Sequence, residues 1–236
     1  ANSNVNQLVN DNTLPFISSV ACLNGNFANS TCFAEAWVRA TNYETGAPTG
    51  AIAVYASTIS QSWNPPMRAQ DHAVDLLVGY DYSEDEPIDQ KFSIGGLWFN
   101  GSMNMIDVYG YSGAEEFFYW TIFGDASLRV RTDTPEAMNV SHLPTLFIGL
   151  NTFEVNTGVE GALVSLTNED HEIIGSGYTD ATGHVTLELV DPPVVPTDLT
   201  LTVTATNKQT YIGTVSVIPN EGPYVIVNDY TIDAGG

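Results

Sequence analysis

The chain has 236 residues, enough for one large or two ordinary domains, and its net charge of −22 reflects six lysine and arginine residues against 28 acidic ones. So few cations argue against a nucleic-acid partner and against docking on anionic lipid, since both need a basic surface. No apolar stretch is long enough to span a bilayer, and no signal peptide is recognisable. We therefore expect a processed extracellular protein with an acidic, solvated surface.

The first informative feature is a cysteine at the end of an apolar run. Residues 14–21 have the pattern of a buried strand, which ends at Cys22 and passes into a polar loop over 23–27. A helix is predicted from Cys32 to about Thr41. A thiol placed between a buried strand and a loop is held rigidly and points outward, as nucleophiles do. The alternative is that Cys22 is simply a small buried apolar residue, as most free cysteines are.

Helical and strand patterns alternate up to about residue 132. After a fully apolar strand at 51–56, the segments predicted as helices are 71–77, 97–109 and 114–123, with an acidic surface loop at 83–87. Such alternation favours an open α/β sheet with helices on both faces. Because only late strands of such a sheet are present, we expect an open edge along 16–21.

From about residue 133 the apolar residues recur with a period of two. The predicted strands are 162–166, 173–178, 184–189, 199–204 and 211–217. Turn-forming residues separate them, which is typical of a small antiparallel sandwich. We therefore divide the chain into domains at 1–132 and 133–218. Residues 219–236 are interpreted as a linker or the start of a further β-domain.

Several ordered segments of the first part resemble a known family. They are VACLNGNF at 20–27, CFAEA at 32–36, ASTISQSW at 56–63, PMRAQD at 66–71 and WTIFGDASLRVRT at 120–132. Together they resemble the gingipains, caspase-like secreted cysteine endopeptidases, and most of all the arginine-specific ones. The resemblance implies an α/β caspase-like open sheet, of which only the C-terminal half is present. It also implies that an all-β immunoglobulin-like sandwich follows.

The resemblance makes Cys22 the catalytic nucleophile, free of any disulfide with Cys32. In that family the general base is a histidine in an upstream His-Gly-Ser turn, which this chain lacks; its own histidines are His72, His142, His171 and His184. Activity on a protein or peptide substrate is therefore expected only with an N-terminal segment or chain of the same precursor. The alternative is a non-catalytic cell-surface or filament component that keeps the peptidase fold.

The resemblance also assigns a substrate pocket. Gln61, Trp63 and Met67 match residues that line the primary specificity pocket of the arginine-specific members. An indole face and a thioether suit the stem of a long cationic side chain, so cleavage after arginine is expected. The alternative is that Trp63 only packs beside the prolines that follow it. Arg68 is expected to point to solvent.

A calcium site is the last feature that the resemblance implies. The carbonyl of Phe27 and the carboxylates of Glu35 and Asp71 match ligands of a family Ca²⁺ ion, and hard oxygen donors suit that cation. The chain departs from the family at His72, where the relatives carry a second acidic residue. An imidazole is a poor calcium ligand, so weaker binding is expected; Glu35 is otherwise an ordinary helix carboxylate.

Overall fold

The computed structural model describes residues 2–220, and the chain divides into two compact units, 1–131 and 132–236. Each unit has its own buried core. Within residues 2–220, no helix is long and apolar enough to cross a membrane.

The first unit is a three-stranded sheet with helices around it. Its strands are β1 (Phe16–Ser19), β2 (Ala53–Ser57) and β5 (Trp120–Gly124), and a two-stranded hairpin is formed by β3 (Tyr80–Asp81) and β4 (Glu86–Pro87). Its helices are α1 (Asn2–Val5), α2 (Phe33–Arg39), α3 (Asn64–Val78), α4 (Ile94–Tyr109) and α5 (Tyr111–Phe117). The strand order is β1-β2-β5, with β1 parallel and β5 antiparallel to β2.

The central strand β2 is buried on both faces, because successive side chains of a strand point to opposite sides. Val54 and Ala56 pack with residues of α2. Ala53 and Tyr55 pack with residues of α3 and α4 on the other face. This confirms the predicted open α/β sheet with helices on both faces. All four residues of β1, an edge strand, are only half-buried.

Two helix predictions needed correction. Helix α3 begins at Asn64, seven residues earlier than predicted. Pro65 and Pro66 occupy its first turn, where backbone N–H groups have no acceptor within the helix, so the N–H groups that proline lacks cost no hydrogen bond. The predicted helix at 114–123 was wrong: α5 ends at Phe117, and β5 begins at Trp120. Pairing with β2 brings the Trp120 ring to 4.5 Å from that of Tyr55, and this burial outweighs helical propensity.

The second unit consists of strands alone among residues 132–220. They are β6 (Ser141–His142), β7 (Thr145–Phe147), β8 (Thr152–Asn156), β9 (Leu163–Thr167), β10 (Ile173–Tyr178), β11 (His184–Glu188), β12 (Thr197–Thr204) and β13 (Tyr211–Ile218). They form a five-stranded sheet, β10-β9-β12-β13-β7, and a three-stranded sheet, β11-β8-β6. Both sheets contribute to one apolar core, which confirms the all-β prediction. Residues 219–236 were interpreted as a linker or the start of a further β-domain, and 221–236 of them lie outside the described residues.

Candidate functional site

Cys22 is an exposed residue in the turn that follows β1. The turn is tied to its neighbours through Asn24, whose Nδ2 donates to Ser19 Oγ at 2.7 Å. The Asn24 carbonyl also accepts the N–H of Ala34, at the start of α2, at 3.0 Å. The thiol is therefore presented to solvent at the carboxyl end of β1, on a turn fixed at both sides.

The same turn is anchored to the end of β2. The Leu23 N–H donates to Ile59 O at 2.9 Å, and the Gly25 N–H donates to Ser57 O at 2.8 Å. Leu23 has a φ of 61°, a left-handed conformation that costs a non-glycine residue about 1–2 kcal/mol. A Cβ on Gly25 would lie 2.9 Å from the Ala56 carbonyl oxygen, so only glycine allows this approach. Backbone strain of this kind concentrates at functional sites.

The two cysteines have different environments. Cys32 is buried, burial raises the pKa of its thiol, and its Sγ accepts the Glu35 N–H at the start of α2. Cys22 is exposed, and both thiols are free of disulfides. No acceptor within residues 2–220 takes the Cys22 N–H. Cys22 is therefore the accessible thiol, and its own N–H is available to stabilise an oxyanion.

The predicted pocket residues lie beside this turn. Trp63 precedes α3 and Met67 is one helical turn further, with its N–H 3.4 Å from the Trp63 carbonyl oxygen. Trp63 is 72% exposed and Met67 is 43% exposed, which argues against Trp63 acting only in packing. The Gln61 Oε1 is buried without a partner in the described chain. Because the Leu23 N–H donates a hydrogen bond to the Ile59 carbonyl, the turn that carries Cys22 lies next to the segment that leads to Gln61 and Trp63.

Glu116 is a residue of this region that the sequence analysis missed. It lies in α5, is only 6% exposed, and its Oε1 accepts the Ser62 N–H at 2.6 Å. Its Oε2 is buried and has no partner among the described residues. No local pattern marks it in the sequence, because the burial of Gly113 and Glu116 on one face of α5 follows from tertiary packing.

The expectation that Arg68 points to solvent was wrong. Its side chain is 18% exposed, and its Nε donates to Asn104 Oδ1 at 2.7 Å. One guanidinium nitrogen also lies 3.8 Å from the Asp81 Oδ2. Arg68 therefore connects α3 to α4 and to the β3–β4 hairpin instead of extending into the pocket.

A buried group that could bind a metal lies next to Arg68. The ligand atoms of His72, Asp75 and Asp81 all lie within 4.8 Å of one another. Burial, with Arg68 nearby, lowers the pKa of His72. Hydrogen bonds from the hydroxyl and N–H of Ser83 and from the Glu84 N–H lower the pKa of the Asp81 carboxyl. The group thus combines an imidazole nitrogen with carboxylate oxygens.

The three predicted calcium ligands lie in three different segments: the loop after β1, helix α2 and helix α3. The ring of Phe27 packs edge-on against Phe123, with centroids 5.7 Å apart. Glu35 closes the N-terminus of α2 in a capping box, where its Oε2 accepts the Cys32 N–H at 2.8 Å. Asp71 is exposed on α3, which packs on the opposite face of the sheet from α2. All three offer oxygen, but one oxygen of Glu35 is already engaged.

Comparison with known proteins assigns the first unit to a peptidase family. The profile of peptidase family C25 matches residues 1–131. The chain belongs to this family. Gingipain R2 of Porphyromonas gingivalis is 39% identical over 232 residues, which are 95% of this chain and 30% of that protein. Gingipain R1 of the same species is 37% identical over 235 residues, 99% of this chain and 23% of that protein.

Solved structures extend the similarity beyond the C25 unit. The crystal structure of the Arg-specific cysteine proteinase gingipain R (RgpB) superposes with a TM-score of 0.82 at 39% identity, covering 92% of this chain and 49% of that one. A complex of the P. gingivalis RgpB pro- and mature domains gives 0.80 at 40% identity. This chain is thus a homologue of cysteine endopeptidases that spans about half of the RgpB chain and less than a third of the curated relatives.

The C25 chain has no general base beside its thiol among the described residues. His72 faces the buried Asp75 and Asp81, and no hydrogen bond joins any histidine within 2–220 to Cys22. The other three histidines belong to the second unit. The described part of the chain therefore contains an exposed thiol, an available N–H and the exposed side chains of Trp63 and Met67, without a histidine hydrogen-bonded to the thiol.

Proposed function

We propose that this chain is the nucleophile-bearing part of a secreted gingipain-like cysteine endopeptidase. Residues 1–132 are then the C-terminal part of the catalytic domain, and 133–218 an immunoglobulin-like domain. The supporting observation is the exposed Cys22 on its strained turn, which is hydrogen-bonded to the segment that leads to Trp63, in a member of family C25. An extracellular or cell-surface location is proposed with it, from the relationship to the gingipains.

The reaction proceeds through a thioester. An upstream histidine removes the proton from Cys22, and the thiolate sulfur attacks the scissile carbonyl carbon. The resulting oxyanion accepts a hydrogen bond from the Cys22 N–H, which donates to no acceptor among the described residues. The tetrahedral intermediate expels the amine, which takes the proton from the imidazolium. Water then hydrolyses the thioester and regenerates the thiol.

The base is proposed to come from an N-terminal segment or chain of the same precursor. Two observations support this: β1 is an edge strand of a small sheet, and the chain covers only 49% of the RgpB structure that it resembles. An edge strand presents unpaired backbone groups that a further strand can use. The segment would pair with β1 and bring its histidine to the exposed end of that strand.

Cleavage after arginine is the proposed specificity. Trp63 and Met67 are one helical turn apart and exposed, so the stem of an arginine side chain can lie against both. The unpartnered Gln61 Oε1 can accept from a guanidinium, which carries five N–H donors. Peptides and proteins with accessible arginine are therefore the expected substrates.

Peptide hydrolysis tests this function in the chain joined to its upstream segment. We expect an arginyl amide substrate to be cleaved and Cys22→Ala to abolish turnover while the fold is unchanged. Trp63→Ala should lower kcat/KM by about tenfold through lost pocket contacts. The matched control is Phe118→Ala, another highly exposed aromatic residue, with no effect. An assembled protein that cleaves no arginyl peptide overturns the proposal and leaves a non-catalytic role for the fold.

We also propose, from the resemblance, that calcium is bound by the Phe27 carbonyl, Glu35 and Asp71. All three donors are oxygens, as the ion prefers, and the free oxygen of Glu35 remains available beside its capping bond. Such an ion stabilises the loop after Cys22 without taking part in the reaction. This calcium ion is distinct from any metal that His72, Asp75 and Asp81 could bind.

Chelation tests the calcium proposal. A chelator is expected to lower the melting temperature, and Glu35→Gln, which retains an acceptor for the capping bond, should remove most of that response. Glu44→Gln, at an exposed site, is the control. If melting is unaffected by the chelator, Glu35 is only a capping residue and Asp71 only a surface carboxylate.

A further inference from the structure

The buried carboxylate of Glu116 is the most unusual feature behind the proposed substrate pocket. It is 6% exposed, and no lysine or arginine among the described residues forms an ion pair with it. A buried acid without a cationic partner is costly to maintain, so its presence calls for a compensating interaction.

Its contact is with the pocket loop itself. Glu116 Oε1 accepts the Ser62 N–H at 2.6 Å, a short charge-assisted hydrogen bond to the backbone between Gln61 and Trp63. This bond fixes the peptide unit between Gln61 and Ser62, directly before Trp63. Glu116 therefore sets the position of the pocket wall without lining the pocket.

Two acceptors close to this loop in the chain or through hydrogen bonding are unsatisfied. Glu116 Oε2 and Gln61 Oε1 are both buried without a partner in the described chain. Unsatisfied acceptors at a pocket favour a ligand that brings hydrogen-bond donors and positive charge. A guanidinium supplies both.

We propose that Glu116 is a positioning residue that gives the pocket its preference for a cationic side chain, by holding the Ser62 peptide and by placing an uncompensated negative charge behind the pocket. The inference rests on the proposed peptidase function. The charge acts over a short distance through a buried, weakly screened region, where a unit charge has a larger effect than at the surface. Any acidic residue supplied by the upstream segment would add to this preference.

The test compares arginyl and citrullyl peptides, which differ in charge but hardly in shape, in the chain joined to its upstream segment. Glu116→Gln keeps an acceptor for Ser62 and removes the charge. We expect it to lower the ratio of kcat/KM for the arginyl over the citrullyl peptide about tenfold, chiefly through KM for the arginyl peptide. The rate of Cys22 alkylation by iodoacetamide should stay unchanged. Glu115→Gln, the exposed neighbour with the same loss of charge, should preserve the ratio.

Glu116→Met provides a second variant, because replacing an unpaired buried charge with an apolar side chain of similar size tends to preserve folding. It removes both the charge and the bond to Ser62, so the ratio should fall at least as far as in Glu116→Gln. An active wild type whose ratio is unchanged in both variants overturns this inference alone. A wild type that cleaves neither peptide overturns the proposed function, and this inference with it.

Discussion

The two units of the chain differ in how completely they satisfy their own polar groups. Among residues 2–220, the buried side-chain polar atoms without a partner all lie in the first unit, in residues Asn10, Ser18, Trp37, Thr49, Gln61, His72, Trp98, Glu116 and Trp120. Residues 132–220 contain none. Native proteins leave few such atoms unsatisfied. From this difference we expect the first unit, more than the second, to depend on a further segment of chain.

Their buried threonines show the contrast at single positions. Thr179 of the second unit accepts the Ala162 N–H at 2.8 Å and donates to Val159 O at 2.6 Å. Thr49 of the first unit is as deeply buried, but its hydroxyl has no described partner. Both units have edge strands in their sheets, so the edges do not separate them. The unsatisfied groups do, and such groups are what a missing neighbour would complete.

The largest expected effect is on independent folding. A fragment of residues 132–220 should unfold cooperatively in urea, because its core is closed between two sheets. A fragment of residues 1–131 should bind a hydrophobic dye and lack a sharp transition until the upstream segment is added. Circular dichroism and dye fluorescence measure both. A sharply unfolding, monomeric fragment 1–131 would remove the basis of the comparison.

Loss of core packing in the second unit is the next largest effect. Leu201 is fully buried in β12, and Leu201→Ala should lower the free energy of unfolding of the second unit by about 2–5 kcal/mol. Ile212→Ala, at a 70% exposed position in β13, is the control and should change it by less than about 0.5 kcal/mol. Equal effects at the two positions would show that the core is not where the structure places it.

The Thr179→Val substitution gives the second unit a buried unsatisfied polar group, as the first unit has, because it leaves the Ala162 N–H without its acceptor. The expected cost is about 1–3 kcal/mol in the free energy of unfolding. Thr186→Val, on an exposed position of β11, should be close to neutral. A neutral Thr179→Val would mean that satisfied polar groups do not distinguish the two units.

The smallest predicted effect concerns acid stability. The Thr182 hydroxyl and the N–H groups of His184 and Thr182 lower the pKa of Asp180, so its contribution is complete above the unfolded pKa and is lost as pH falls through the lower folded pKa. The stability difference between wild type and Asp180→Ala should be constant above about pH 5 and shrink below about pH 4. Urea unfolding at several pH values measures it. The control Thr186→Val, which changes no titratable group, should show no such trend; a trend of opposite sign for Asp180→Ala contradicts the assignment.

The sequence predicted the elements whose pattern is local. Residues 51–56 are apolar throughout and contain most of the central strand β2, and the period of two identified β9 to β13. The strands β6, β7 and β8 were missed. The strand β5 was missed because its burial depends on pairing with β2, not on its own pattern. The beginning of α3 was missed because two prolines obscure a first turn that they in fact favour.

The candidate site was predictable only where single positions carry the signal. Cys22 follows an apolar strand, and Trp63 and Met67 were indicated by the resemblance to the gingipains. The group formed by His72, Asp75 and Asp81 depends on a hairpin folding back on α3, and the bond from Ser62 to Glu116 joins residues 54 positions apart. Such contacts follow from tertiary packing and have no local pattern.

The most direct test of the central claim is covalent labelling of Cys22. An arginyl chloromethyl ketone alkylates a thiolate much faster when the arginine is bound and a base is present. With the upstream segment joined to the chain, intact mass spectrometry should show one adduct, on Cys22, and none on the buried Cys32. Without the segment, or with a leucyl reagent, labelling should be at least about tenfold slower. Equal labelling in all three cases, or no labelling in the joined protein, would contradict the account.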